Sequence, residues 1–204
     1  MSQIFLLTGF APFGGERNNP SWEVASQLDG QKFEGAMVKS IRLPVNCRRA
    51  SHVVFDAITT LAPGAVIGLG QAGGRPALSL ERVAINLADP RAERGRDGGL
   101  GGKPVIDGGP AAYFTRLPLA EILRSLRRHA IPAALSLSAG AYVCNTVMYT
   151  ALYALRRRPR TPVGFIHLPY EAAQAARHRA VASMSLATMT TGVEISLETI
   201  ARGL

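Results

Sequence analysis

Apolar residues in this chain fall in short blocks separated by longer stretches of helical period. Ile4–Phe10 is a near-continuous apolar run closed by Gly9 and Pro12, which predicts a first buried strand. Asn19-Pro20-Ser21-Trp22-Glu23 opens a short helix, with Asn19 as N-cap and Pro20 at the first helical position. Met37–Val45 predicts a second strand, and Arg48–Leu61 a helix with Val53, Val54, Ala57, Ile58 and Leu61 on one face. Ala65–Leu69 is a short apolar run leading into Gly70-Gln71-Ala72-Gly73-Gly74, a strand ending in a loop suited to function.

Leu80–Leu87 alternates as a strand does. From Arg91 to Phe114 there are seven glycines, several charges and no sustained period, which predicts a long loop of the lid or arm type. Leu119–Ala130 has amphipathic helical spacing, Ala134–Leu137 reads as a strand, Asn145–Arg157 as a helix and Val163–Leu168 as a strand. Glu171 to about Ile200 supplies terminal helices, with a break expected near Gly192. Alternating strands and helices predict an α/β sandwich with a mixed, largely parallel sheet, and 204 residues fit one domain, 1–204. The 134–137, 145–157 and 163–168 segments are expected to form one βαβ unit whose strands end on a shared sheet edge.

Composition narrows the class. Hydrophobic content of 47% and a mean hydropathy of +0.11 suit a globular protein, and no apolar stretch approaches the roughly 20 residues of a membrane span. The first residues read as a strand, without the basic flank of a signal peptide. Two cysteines make no disulfide framework, and a cytoplasmic location is the expectation. The net charge is +9, and 20 of the 23 basic residues are arginines. They are dispersed except for Arg156-Arg157-Arg158-Pro159-Arg160 at a predicted helix end, and no nucleic-acid-binding motif accompanies them, so no nucleic-acid partner is expected.

Two residues then stand out. Cys144 sits where a strand hands over to a helix, so a thiol is placed at a helix N-terminus, where exposed N–H groups and the macrodipole favour thiolate. His167 closes the Val163–Leu168 run. Together they suggest nucleophilic catalysis, although a buried structural cysteine and a backbone-satisfying histidine fit the same positions. Glu81 is either a surface strand carboxylate paired with Arg82 or the group that orients His167, and its position does not separate the two. Gly98-Gly99-Leu100-Gly101-Gly102-Lys103-Pro104 is not a phosphate loop, and Gly9 with Gly14-Gly15 makes no dinucleotide fingerprint. His52, His129 and His178 lack metal-ligand spacing, no cofactor or metal is expected, and Cys47 reads as structural.

Several blocks, in order, resemble the pyroglutamyl peptidase I (pyrrolidone-carboxylate peptidase) family of cysteine peptidases. They are Gly9-Phe10-Ala11-Pro12-Phe13-Gly14-Gly15 with Asn19-Pro20-Ser21-Trp22-Glu23, Gly70-Gln71-Ala72-Gly73-Gly74-Arg75, and Glu81-Arg82-Val83-Ala84-Ile85-Asn86. Asp107-Gly108-Gly109-Pro110-Ala111-Ala112-Tyr113-Phe114, Ser138-Ala139-Gly140, Tyr142-Val143-Cys144-Asn145 and Gly164-Phe165-Ile166-His167-Leu168-Pro169 continue the match. The resemblance implies a Cys144–His167–Glu81 triad, an α/β/α sandwich similar to the purine nucleoside phosphorylases, and a homotetramer acting on peptides that begin with pyroglutamate. It places the substrate ring between Phe10 and Phe13 with Gln71 near its polar edge, and Tyr142 and Val143 beside them. It associates Arg91 with the oxyanion site, and the Cys144 backbone N–H is expected to stabilise the oxyanion beside it. One stretch departs from the family: Arg-Ile-Pro-Asp-Asn is replaced by Arg91-Ala92-Glu93-Arg94-Gly95, which removes an apolar wall candidate. A non-catalytic lactam-binding protein and a nucleoside-processing enzyme on the same fold are the alternatives.

Overall fold

The computed structural model describes residues 3–89 and 102–204. Eight strands form one mixed sheet: β1 (Ile4–Phe10), β2 (Lys32–Phe33), β3 (Ala36–Leu43), β4 (Ala65–Gln71), β5 (Leu78–Ile85), β6 (Ala112–Phe114), β7 (Ala133–Ser138) and β8 (Val163–Leu168). The order is β2-β3-β1-β4-β8-β5-β6, with β7 paired to the other side of β5. Helices α1 (Pro20–Leu28), α3 (Leu119–Arg128) and α6 (Leu186–Ala201) cover one face. Helices α2 (Cys47–Leu61) and α4 (Val143–Ala154) cover the other, while α5 (Ala172–Ala175) is a single turn. The result is a three-layer α/β/α sandwich. Central strand β8 is buried at every position, as a strand covered on both faces must be.

Local chemistry fixes several boundaries where the sequence placed them. Asn19 caps α1 by accepting from Ser21 N–H at 3.1 Å, with Pro20 opening the helix, and its amide donates to Ala11 O at 3.1 Å. Phe10 N–H donates to Ser21 Oγ at 3.0 Å, so the end of β1 is tied to the start of α1. Asn46 caps α2 through Arg49 N–H at 3.0 Å, which starts that helix at Cys47, one residue before the expected Arg48.

Three expectations need correction. β7, α4 and β8 do not form a parallel βαβ unit. β5 lies between the two strands, parallel to β7 and antiparallel to β8, so β7 and β8 run in opposite directions. A buried apolar run looks the same in either direction, and pattern alone could not show this. The terminal helices break after α5 rather than near Gly192, which is buried in the middle of α6. Gly192 is there for close packing: a Cβ at this position would collide with Leu78 of β5. The stretch read as a long loop also holds β6, and Lys103 exchanges backbone hydrogen bonds with Ala88. Among the described residues, no helix is long and apolar enough to cross a membrane.

Candidate active site

On β8, Val163, Phe165 and His167 share the face turned toward α2 and α4, while Ile166 and Leu168 face the opposite core. The Phe165 and His167 rings lie 4.9 Å apart, which limits how far the imidazole can swing. On β5, Glu81 lies on the side opposite Leu78 and Leu80 and is fully buried. The two elements meet at their antiparallel pairing, where Ser79 faces His167. His167 Nδ1 lies 2.7 Å from Glu81 Oε1.

The same oxygen accepts from Arg75 Nη1 at 2.7 Å. Burial alone would raise the Glu81 pKa, but the hydrogen bond from His167, the positive charge that ring carries when protonated, and the hydrogen bonds of Ser136 and Arg75 outweigh it, and the pKa is lowered. Glu81 is therefore an ionised, acceptor-only group, so Nδ1 of His167 carries the proton and Nε2 keeps the lone pair. Burial lowers the His167 pKa despite the opposing hydrogen bond and charge of Glu81. The imidazole rests neutral, a proton acceptor in waiting.

Cys144 is the second residue of α4. The turn from Ala139 to Tyr142 carries the helix start back against the sheet, and Asn145 locks it there. That side chain is completely buried, donating to Ile85 O and Leu87 O at 2.9 Å each and accepting from Ile85 N–H at 2.8 Å. Gly70 of β4, paired with His167 across the sheet, makes room for the thiol. A Cβ at Gly70 would lie 2.9 Å from Cys144 Sγ and 2.8 Å from the Phe165 ring.

The expected thiolate is not the resting form. Burial, and then the negative charge of Glu81, push the Cys144 pKa up to about 12, against the lowering effect of its own backbone N–H. The helix N-terminus favours the anion, but the cost of desolvating a buried thiolate outweighs it here. Tyr142 gives α4 no side-chain cap, so the first N–H groups of the helix are not claimed by one.

A cavity of about 670 Å³ opens over this cluster, lined by Cys144 and His167 together with Phe10, Phe13, Gln71, Tyr142 and Val143. Every described residue singled out for substrate contact is thus in one wall or another. Phe10 is buried and Phe13 is 40% exposed, so one ring is fixed and the other is accessible. Arg91 lies outside the described residues. Arg75, Asn19 and Tyr170 also line the cavity and had not been read as functional. Arg75 ends the Gly70-Gln71-Ala72-Gly73-Gly74-Arg75 block, but only the fold places it on Glu81.

A model of the pyroglutamyl peptidase family matches residues 3–203. The chain belongs to this family. It is 46% identical over 192 residues to a pyrrolidone-carboxylate peptidase of Klebsiella pneumoniae, covering 94% of this chain and 90% of that one. A pyrrolidone-carboxylate peptidase of Chromobacterium violaceum is 46% identical over 196 residues, covering 94% and 91%. Among solved structures, the pyroglutamyl peptidase I of Bacillus amyloliquefaciens superimposes with a TM-score of 0.89 at 37% identity, covering 98% and 96%. A variant pyrrolidone carboxyl peptidase from Pyrococcus furiosus gives 0.90 at 35% identity, covering 99% and 100%. The family, the enzyme class and the α/β/α fold therefore stand as the sequence implied.

Proposed function

We propose that this chain removes pyroglutamyl groups from the N-termini of peptides, with Cys144 as nucleophile, His167 as general base and acid, and Glu81 as the orienting carboxylate. The observation that carries this reading is a single cavity holding a thiol, a neutral imidazole bonded to a buried carboxylate, and two phenylalanine rings. A pyroglutamyl group is a flat lactam without a charged amine, so apolar walls at Phe10 and Phe13 and one polar contact at Gln71 suit it. An ordinary N-terminal ammonium would lose its water there and meet the Arg75 cation instead of a carboxylate.

In the proposed cycle, Nε2 of His167 takes the Cys144 proton as sulfur attacks the exocyclic carbonyl. The proton moves in concert with attack, because the resting pair is neutral on both sides. The Cys144 N–H and Arg91 stabilise the oxyanion. Imidazolium then protonates the leaving amine, a thioester forms, and water activated by His167 hydrolyses it.

We further propose that the 1–204 chain acts as one peptidase domain, in the cytoplasm, as a homo-oligomer of the tetrameric kind. Two cysteines in 204 residues offer no disulfide framework, which suits a reducing compartment. Leu135, Leu137 and Phe114 are 46%, 76% and 69% exposed on strands beside β5, an apolar surface suited to a second copy. Light scattering of the purified protein reads the assembly. Fluorogenic pyroglutamyl, prolyl and glutamyl amides test the activity side by side. Turnover confined to the pyroglutamyl amide is expected, and equal turnover of the prolyl amide would contradict the assignment of the pocket.

A further inference from the structure

Gln174 of α5 is fully buried and touches the cavity only through a neighbour. Its side chain is held by two backbone groups of fixed polarity. Oε1 accepts from the Glu171 N–H at 3.1 Å, and Nε2 donates to Asn18 O at 3.3 Å. A backbone N–H can only donate and a carbonyl can only accept, so this amide has one permitted orientation. The same Nε2 donates to Gln71 Oε1 at 3.0 Å. The orientation of the Gln71 amide is therefore set in turn: its oxygen is occupied, and its Nε2 makes no hydrogen bond to any described residue. Gln71 is a wall residue of the cavity, so that donor is left for the occupant.

We propose that Gln174 is a positioning residue for specificity, holding Gln71 with its NH₂ group presented to the ring carbonyl of the substrate. This rests on the pyroglutamyl substrate proposed above. That ring differs from a prolyl ring by this carbonyl and by its uncharged nitrogen, so a preset donor favours one and leaves an unmade hydrogen bond with the other. Without Gln174 the amide would populate both orientations, and the flipped one sets oxygen against oxygen. Gln174 also joins three cavity segments: the loop before α1 through Asn18, the end of β4 through Gln71, and the start of α5 through Glu171. Asn18 Nδ2 closes the ring by donating to Glu171 Oε2 at 3.0 Å.

The test is a double-mutant cycle with pyroglutamyl aminomethylcoumarin as substrate. Gln174→Met is expected to raise KM about ten-fold with kcat within about two-fold, and to weaken competition by 2-pyrrolidone by the same factor. In a Gln71→Met background the second substitution should add nothing. Should Gln174→Met fail to fold, the wild-type protein still decides: side-chain amide NMR signals of Gln71 should move when 2-pyrrolidone is added, while those of Gln174 hold. A KM within two-fold of wild type, effects that add fully in the cycle, or unmoved Gln71 signals at saturating 2-pyrrolidone would overturn the proposal. Loss of pyroglutamyl turnover in the wild-type protein would instead remove the proposed function, and the NMR experiment needs no turnover.

Discussion

Gly70→Ala is the substitution with the sharpest structural consequence. In an open strand the change would stabilise the chain by about 0.4–1 kcal/mol, because alanine loses less backbone freedom on folding. Here the new Cβ would sit 2.9 Å from Cys144 Sγ and 2.8 Å from the Phe165 ring. Ordinary carbon contacts begin near 3.5 Å, so something must retreat by about half an ångström or more. Phe165 is completely buried and packed on His167, and Asn145 holds α4 in place. The thiol and the imidazole therefore absorb the displacement. Overpacking of this kind costs about 1–3 kcal/mol, which at about 2–4 °C per kcal/mol lowers Tm by roughly 2–12 °C. Misplacing a reacting group by a sizeable fraction of an ångström should reduce kcat/KM by about 10- to 100-fold. Differential scanning calorimetry and pyroglutamyl-amide kinetics read the two effects separately. Wild-type kinetics with an unchanged or raised Tm would show that Gly70 does not set the thiol's position.

Glu81→Gln should keep measurable activity, falling on the order of 100-fold. Arg75 Nη1, a pure donor on Oε1, keeps the carbonyl oxygen of the new amide facing His167 and so preserves the tautomer. The carboxylate raises the His167 pKa against the larger effect of burial, so its loss should move the acid limb of kcat/KM to lower pH, and an upward move would contradict the assignment. With a thiol pushed up to about 12, iodoacetamide should alkylate free Cys144 slowly at neutral pH and ever faster well above pH 9, whereas a plateau by pH 7 would mean a resting thiolate. The same shift has a stability consequence. The unfolded chain ionises this cysteine from about pH 9 and the folded chain only near 12, so the contribution is full below 9 and lost as pH rises between them. Cys144→Ala should therefore show a smaller fall of Tm across that alkaline window than the wild-type protein.

Helix caps and strand runs were legible because their causes are local. Asn19, Pro20 and the 163–168 run announce themselves through hydrogen-bonding capacity, fixed φ and unbroken burial. Strand direction was not legible, since it depends on how β5 inserts between β7 and β8. The break around residues 176–185 was missed for a related reason: Gly192 resembles a helix breaker until Leu78 is seen packed against it. At the site, position along the chain singled out Cys144 and His167, the family resemblance added Glu81, and neither indicated the ionisation of the thiol. That ionisation reflects burial, which no motif states. Arg75 and Gln174 were equally silent, as each matters only through a partner distant on the fold or behind the cavity wall.

The central claim is that Cys144 is the nucleophile of a pyroglutamyl peptidase. Turnover of a pyroglutamyl amide by purified, correctly folded Cys144→Ala, measured beside wild type, tests it most directly. The expected result is efficient release by the wild-type protein and nearly none by the variant at equal Tm near neutral pH. Undiminished release by the variant would contradict it.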